Sequence, residues 1–352
     1  MKKIQIGTTD LHVAPINLGG NVFGWTLDEK KSFEILDAFV DHGFNFIDTA
    51  DMYSYWVDGK EGGQSETILG KWMKSLGNRD HIIMATKVGG ETGTHPVDTS
   101  KKHILEAVDK SLKRLQTDYI DLYYTHFDDE KTPVEETLEA YDELIKAGKV
   151  RHIAASNISP ERLEASFAAS EKHNLPKYQA LQPHYNLVER EGYECNYASL
   201  AQKYNLTVFP YWSLASGFLT GKYRSEDDLN KSVRGDSVKK YLDEKGLAVL
   251  KALDQVSEKY NKKRGKDSGV KIKRRALVPG KDKVRIQLIH KKDKPVKYKA
   301  YKGIMWSKRA YTVKSKKGNR YVVNGKSRHR DELRLTEDYD PKSEALLKSR
   351  ED

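Results

Sequence analysis

The chain has 352 residues, enough for one large domain and a smaller one, and its net charge of +11 is unevenly spread. Residues 262–352 hold 30 Lys and Arg against 11 Asp and Glu, whereas the remainder holds 32 against 40, so an acidic body is joined to a cationic tail. Cys195 is the only cysteine, the N-terminus lacks an apolar signal core, and no uncharged apolar run approaches the ~18 residues of a bilayer span; these exclude an intrachain disulfide and point to a soluble cytoplasmic protein with no membrane partner.

Up to Tyr260, short β-branched-rich runs alternate with longer amphipathic ones. Strands are expected over residues 16–18, 44–47, 82–85, 120–124, 152–155, 180–182 and 207–211. Helices are expected over 29–41, 65–75, 101–115, 134–147 and 160–173. Asp98-Thr99-Ser100 and Ser159-Pro160 are good helix starts, because a side-chain oxygen accepts the free N–H groups of a first turn. The alternation predicts an α/β fold built from βαβ units, a (β/α)8 TIM-type barrel over residues 1–260 that lacks its eighth strand and last helices. The first and seventh strands would then keep unpaired edges.

After Tyr260 the character changes. Residues 261–280 read as a basic linker, and residues 281–338 as a small all-β domain of SH3-like size with strands over 283–289, 309–314, 320–323 and 326–335. Asn324-Gly325 is the favoured pair for a two-residue hairpin. Residues 339–352 form a tail. The 283–289 run alternates in the manner of a half-exposed strand, so it is not expected to fill the barrel's gap.

The chemistry-bearing residues lie at the C-terminal ends of expected strands, the face on which barrels of this kind carry catalysis. Asp48 ends one strand and Tyr53 follows in its loop; Lys87 ends the next and His126 the one after. A lysine directly after a buried strand wants an anion, which Asp48 supplies. A phenol beside that ammonium is expected to fall below its ordinary value of about 10 and to serve as a proton donor. Taken singly, each of the four is more often a structural cap or ion-pair partner. For His126 the plain alternative is a packed histidine bonded to backbone. Tyr55 and Trp56 are either packing or an apolar wall for a substrate. His184 and Tyr185 lean to packing, and Cys195 reads as inert. No metal-ligating set is assigned.

The stretch Asn45-Phe46-Ile47-Asp48-Thr49-Ala50-Asp51-Met52-Tyr53, with Gln64-Ser65-Glu66-Thr67-Ile68-Leu69-Gly70, resembles the aldo-keto reductase signature. Residues 112–123 resemble its second signature, and residues 210–222 its strand-seven cofactor loop. The resemblance covers residues 1–260 and implies reduction of small aldehydes and ketones with NADP(H) or NAD(H). It implies Tyr53 as general acid, Lys87 and Asp48 as its tuning pair, and His126 as the residue orienting the carbonyl. Ser156, Asn157 and Gln182 would hold the nicotinamide carboxamide and Tyr211 would stack on its ring. Trp212, Leu214 and Ser216 would meet the pyrophosphate, while Gly20 and Asn21 line the rim. The family's 2′-phosphate determinant has no counterpart in this chain.

Lys283-Val284-Arg285-Ile286, Tyr301 to Ser307, Tyr311-Thr312-Val313 and Tyr321 to Lys326 resemble the C-terminal SH3-like domain of retroelement-type integrases. That resemblance implies a nucleic-acid partner for residues 262–352; the plain alternative places the aromatics in a small core with the charges solvating it. The competing functional readings are a carbonyl reductase with an acquired tail, a chimera whose impaired barrel accompanies a nucleic-acid-binding tail, and a recombined chain with no efficient function.

Overall fold

In a computed structural model of the chain, residues 2–259 are described in full; beyond them the backbone is described for residues 283–288, 305–306, 311–317, 320–323, 326–329 and 333–335. Two compact units divide at residue 269.

The first unit opens with a hairpin that the sequence pattern does not predict, β1 (Ile4–Gln5) paired antiparallel with β2 (His12–Val13). Seven parallel strands follow in chain order: β3 (Asn17–Gly19), β4 (Phe46–Asp48), β5 (Ile83–Val88), β6 (Ile120–Thr125), β7 (Val150–Ser156), β8 (Ala180–Gln182) and β9 (Thr207–Val208). Between them run α1 (Glu29–Asp41), α2 (Gln64–Leu76), α3 (Lys101–Leu115), α4 (Val134–Lys146), α5 (Pro160–His173), α6 (Glu191–Asn196) and α7 (Ala198–Lys203), and after β9 come the single turn α8 (Gly235–Val238) and α9 (Glu244–Lys259). Ser100 and Ser159 cap α3 and α5 as expected, each accepting a backbone N–H three residues on. The last strand is shorter than its apolar run: Phe209 N and Tyr211 N still donate to Leu181 O and Pro183 O, at 2.9 Å each, but Pro183 has no N–H with which to return a bond to Phe209.

Residue alternation along these strands sorts side chains into two cores. One set, Ile47, Met84, Tyr123, Ile153, Ala155 and Leu181, packs outward on the helices. The other, Phe46, Ala85, Leu122, Tyr124, Ala154 and Ala180, gathers with Ile6, Leu11 and Val13 of the first hairpin into an interior core. The sheet must curl to allow this. Phe46 of β4 lies 4.9 Å from Phe209 beside β9, ring centroid to centroid, although β4 and β9 are five places apart in strand order. In a flat sheet that separation would be about 24 Å. The hairpin plugs the end where the strands begin: Gly7 N donates to Thr207 Oγ1 at 2.8 Å, and Asp10 meets both Arg151 and His152. Among the described residues the barrel sheet has seven strands, and β3 and β9 are not paired with one another.

The described strands of the second unit are antiparallel: β10 (Lys283–Leu288), β11 (Met305–Trp306), β12 (Tyr311–Lys317), β13 (Arg320–Val323), β14 (Lys326–His329) and β15 (Leu333–Leu335). β10 pairs with β11, β12 and β15, and β12, β13 and β14 form a meander. Val323 faces Lys326, the pairing a two-residue Asn324-Gly325 turn requires. The single strand expected over 326–335 is two, β11 is additional, and β12 starts two residues later than the expected 309. The basic linker over 261–280, the tail over 339–352 and the side chains behind the SH3-like assignment lie outside the described residues.

Candidate active site

The inward-facing set of the strands changes character at its C-terminal end. One step of the period-two alternation beyond Phe46, Ala85, Ala154 and Ala180 come Asp48, Lys87, Ser156 and Gln182, and His126 follows Tyr124 in the same way. All five are buried. A polar layer therefore sits on an apolar one, and its members must satisfy one another.

Lys87 is completely buried, and its ammonium makes three contacts: Asp48 Oδ1 at 2.6 Å, the carbonyl of Thr49 at 2.7 Å and the Tyr53 hydroxyl at 2.9 Å. The second oxygen of Asp48 accepts from Gln182 Nε2 at 2.9 Å, which ties β4 to β8. Because an ammonium only donates, the Tyr53 oxygen accepts from it, and its own proton is left to point elsewhere. Burial lowers the ammonium's preference for charge, but Asp48 and Tyr53 outweigh it and hold Lys87 above its ordinary value.

Tyr53 departs from the expectation of a lowered phenol. Its burial raises the hydroxyl above 10, and the pull of Lys87 only partly offsets that. The Asp48 carboxylate also cancels much of the lysine's field, so Tyr53 is held as a protonated, hydrogen-bonded acid rather than as an incipient phenolate.

His126 is neutral for the same reason. Burial, then Lys87, pulls its imidazole well below the ordinary value of 6.5. Its ring centroid is 6.0 Å from that of Tyr53. Nδ1 is buried and has no hydrogen-bond partner among the described residues, so the ring is not the backbone-bonded histidine of the plain alternative.

Beside these groups lies a half of the site rich in amides. Ser156 Oγ donates to Gln182 O at 2.8 Å, Asn157 Nδ2 donates to His126 O at 2.8 Å and to Ser156 Oγ at 3.1 Å, and the Tyr211 hydroxyl donates to Asn157 Oδ1 at 3.1 Å. Tyr211 stacks on His184, with centroids 5.3 Å apart and planes 11° from parallel. His184 is thus packing, as expected, and what it packs is Tyr211. The loop beyond is left-handed at Trp212, Ala215, Ser216 and Gly217, and it leaves Trp212 and Leu214 half-exposed. Gly20 lies against Asp48, its N–H donating to Asp48 O at 2.7 Å; a Cβ there would meet Ser65 Oγ at 2.8 Å. Asn21 follows at the rim, half-buried.

A scan of protein families matches the aldo/keto reductase family over residues 15–268. The chain belongs to that family. Among individual proteins, it is 40% identical over 232 residues to "Aldo-keto reductase YhdN" of Bacillus subtilis, covering 64% of this chain and 66% of that protein. It is 35% identical over 249 residues to "Uncharacterized oxidoreductase YrpG" of the same organism, covering 68% and 75%. It is 34% identical over 226 residues to "Probable voltage-gated potassium channel subunit beta" of Arabidopsis thaliana, covering 63% and 67%. The chain spans about two thirds of the length of the first of these relatives.

Two further residues of this aldo/keto reductase chain reach the same rim without any signal in the sequence pattern. Trp25, in the loop after β3, packs edge-on against Trp56 at 5.6 Å, and Trp56 in turn meets Tyr53 at 6.1 Å and Tyr55 at 5.7 Å. Arg234 lies over the Trp25 ring at 5.3 Å. Its Nη2 is buried with no hydrogen-bond partner among the described residues, and desolvation lowers its pKa. Local spacing carries neither residue, because the contact joins two loops distant in sequence. Trp25, Trp56, Tyr55 and Tyr53 thus form a chain of edge-on aromatic contacts at this rim. Cys195 is exposed on α6, away from these groups.

Proposed function

We propose that this chain is an NAD(P)H-dependent oxidoreductase that reduces an aldehyde or ketone to the alcohol, with Tyr53 as proton donor. The observation carrying the reading is the commitment of the Lys87 ammonium: bound to Asp48, Thr49 O and Tyr53 Oη, it turns the phenolic proton toward an incoming oxygen. A bound dihydronicotinamide supplies the hydride to the carbonyl carbon. Tyr53 gives its proton to the carbonyl oxygen, and Lys87 steadies the charge left on the phenolate. Neutral His126 orients the carbonyl, and Asp48 keeps the lysine in place. Tyr55 and Trp56, with Trp25, wall the substrate side.

The residues present fit the cofactor. Ser156, Asn157 and Gln182 offer the donors and acceptors a carboxamide needs, and Tyr211, backed by His184, offers a ring face. The loop that carries Trp212, Leu214 and Ser216, left-handed at Trp212 and Ser216, and the Arg234 guanidinium, whose Nη2 has no hydrogen-bond partner among the described residues, fit the negative charge of a phosphate. The nucleotide is NADP(H) or NAD(H).

The test is titration of the full chain with NADPH and NADH by tryptophan fluorescence, beside turnover on an aldehyde panel. Tyr53→Phe is expected to keep saturable nucleotide binding and to lose turnover; undiminished turnover in that variant would overturn the assignment. The charge segregation supports a second role, nucleic-acid binding by residues 262–352. Its measurement is duplex-DNA binding by the full chain, expected to weaken steeply with salt; failure to bind at low salt removes it.

A further inference from the structure

Beyond the carbonyl chemistry, one cluster of side chains has the composition of a metal site. We infer that His95, Asp98 and His103 bind a divalent transition-metal ion of the zinc type. Their ligand atoms lie within 4.8 Å of one another. The three come from the segment between β5 and α3: His95 closes a turn through its bridge to Thr92, Asp98 precedes the Ser100 cap, and His103 stands in the first turn of α3. Two imidazoles and one carboxylate suit a borderline cation better than calcium or magnesium, which take oxygen ligands.

The present contacts leave a donor waiting. His95 Nε2 and Asp98 Oδ2 are 2.9 Å apart, and the His95 and His103 rings stack with centroids 4.2 Å apart and planes within 2°. His103 Nε2 is buried and has no partner among the described residues. An unmet buried nitrogen carries a cost unless something coordinates it. The carboxylate is already oriented, since Asp98 Oδ1 accepts from Ser100 N at 2.8 Å; a ligand held by an outer bond of this kind loses less freedom on binding. Zinc ligands in a tetrahedral site sit about 3.3 Å from one another, so closure asks for movements of about 1.5 Å or less. His95, with its side chain 40% exposed, is free to turn off the stack and provide it. A water would complete the set.

The ion would brace the substrate side of the barrel. A Cβ on Gly89 would lie 3.3 Å from Asp98 O, and one on Gly90 would lie 3.2 Å from His126 Nδ1. The ligand segment and the imidazole of the polar layer therefore lie against adjacent glycines, Gly89 and Gly90, at the end of β5.

The experiment is calorimetric titration of the full chain with zinc, repeated with His95→Ala and His103→Ala, together with visible spectra of the cobalt-loaded protein. Because the chain has 11 histidines, the informative quantity is the binding event lost in the variants. The expected result is a one-to-one event weakened at least about tenfold by either substitution, with a cobalt spectrum of nitrogen and oxygen ligation that disappears alongside it. His95 lies in a half-exposed loop, so its variant is expected to fold even if His103→Ala does not. Zinc binding of unchanged affinity in His95→Ala, or no one-to-one event in the parent chain, overturns the assignment.

Discussion

Replacing Lys87 by Met keeps the length of the side chain and removes its charge, which isolates what the buried ion pair contributes. Asp48 would be left in the interior with Gln182 as its remaining side-chain hydrogen-bond partner among the described residues, at 2.9 Å. Breaking a buried pair from one side costs about 3–5 kcal/mol. For a domain of this size that lowers the melting temperature by about 6–20 °C. Asp48→Asn strands the ammonium instead and is expected to cost a similar amount. The double variant strands no charge, so its loss should fall short of the sum of the single losses by about 2–3 kcal/mol. Denaturant unfolding of the parent and the three variants measures all four corners of the cycle. All three variants are expected to be inactive, so stability is the informative readout. Losses that add to within about 0.5 kcal/mol would refute the buried pair as the centre of this layer.

The pH dependence follows from the same burial. Tyr53 is raised above its ordinary 10, so the donor stays loaded through the neutral range. The rate of carbonyl reduction should therefore stay level up to about pH 9 and fall only on the alkaline side; a decline already complete by neutral pH contradicts a buried, protonated phenol. Asp51 makes an opposite demand on stability. Burial, reinforced by the neighbouring Glu66 carboxylate, pushes it up to about 8, and its Oδ1 has no hydrogen-bond partner among the described residues. The folded state therefore holds this proton over a range where the unfolded chain, at about 3.9, has lost it. The penalty is absent below about pH 4, grows as pH rises and is complete above about 8, so Asp51→Asn should remove that part of the decline. Unfolding curves at acid and mildly alkaline pH decide it, and a variant that declines as steeply as the parent sinks the assignment.

How much of this was legible depended on whether the signal was local. The helices over 29–41, 101–115 and 160–173 have the expected bounds, because amphipathic spacing and, for the last two, a capping serine are local properties. Apart from Ala180–Gln182, which has its expected bounds, strand ends drift by up to three residues, since a strand ends where its partner ends: the run at 44–47 becomes Phe46–Asp48 once Ile83 and Ala85 are opposite. The first hairpin has two-residue strands and owes its place to Ile6, Leu11 and Val13 filling the barrel floor, a reason no local pattern contains. In the site, Asp48, Lys87 and His126 stood out as polar residues ending apolar runs. Trp25 and Arg234 did not, because their meeting is a loop-to-loop contact. The Tyr53 shift was predicted with the wrong sign because sequence shows the neighbouring lysine but not the depth at which both are buried.

Gln182 shows how closely the chemistry depends on curvature. It stands on β8, four places from β4 in strand order, which in a flat sheet is about 19 Å. Its Nε2 nevertheless donates to Asp48 Oδ2 at 2.9 Å, and its carbonyl accepts from Ser156 Oγ at 2.8 Å. One side-chain amide and its own backbone therefore join the Asp48, Lys87 and Tyr53 half of the site to the Ser156 and Asn157 half, across the interior rather than along the sheet. Gln182→Leu keeps roughly the bulk and deletes the donor. A buried carboxylate that loses one hydrogen bond of this kind costs about 1.5–3 kcal/mol. The loss should shrink sharply in an Asp48→Asn background, where no charge awaits the donor. If Gln182→Leu is neutral in the parent chain, the strand ends do not converge as described, and the seven strands form a flatter sheet than a site shared between β4 and β8 requires.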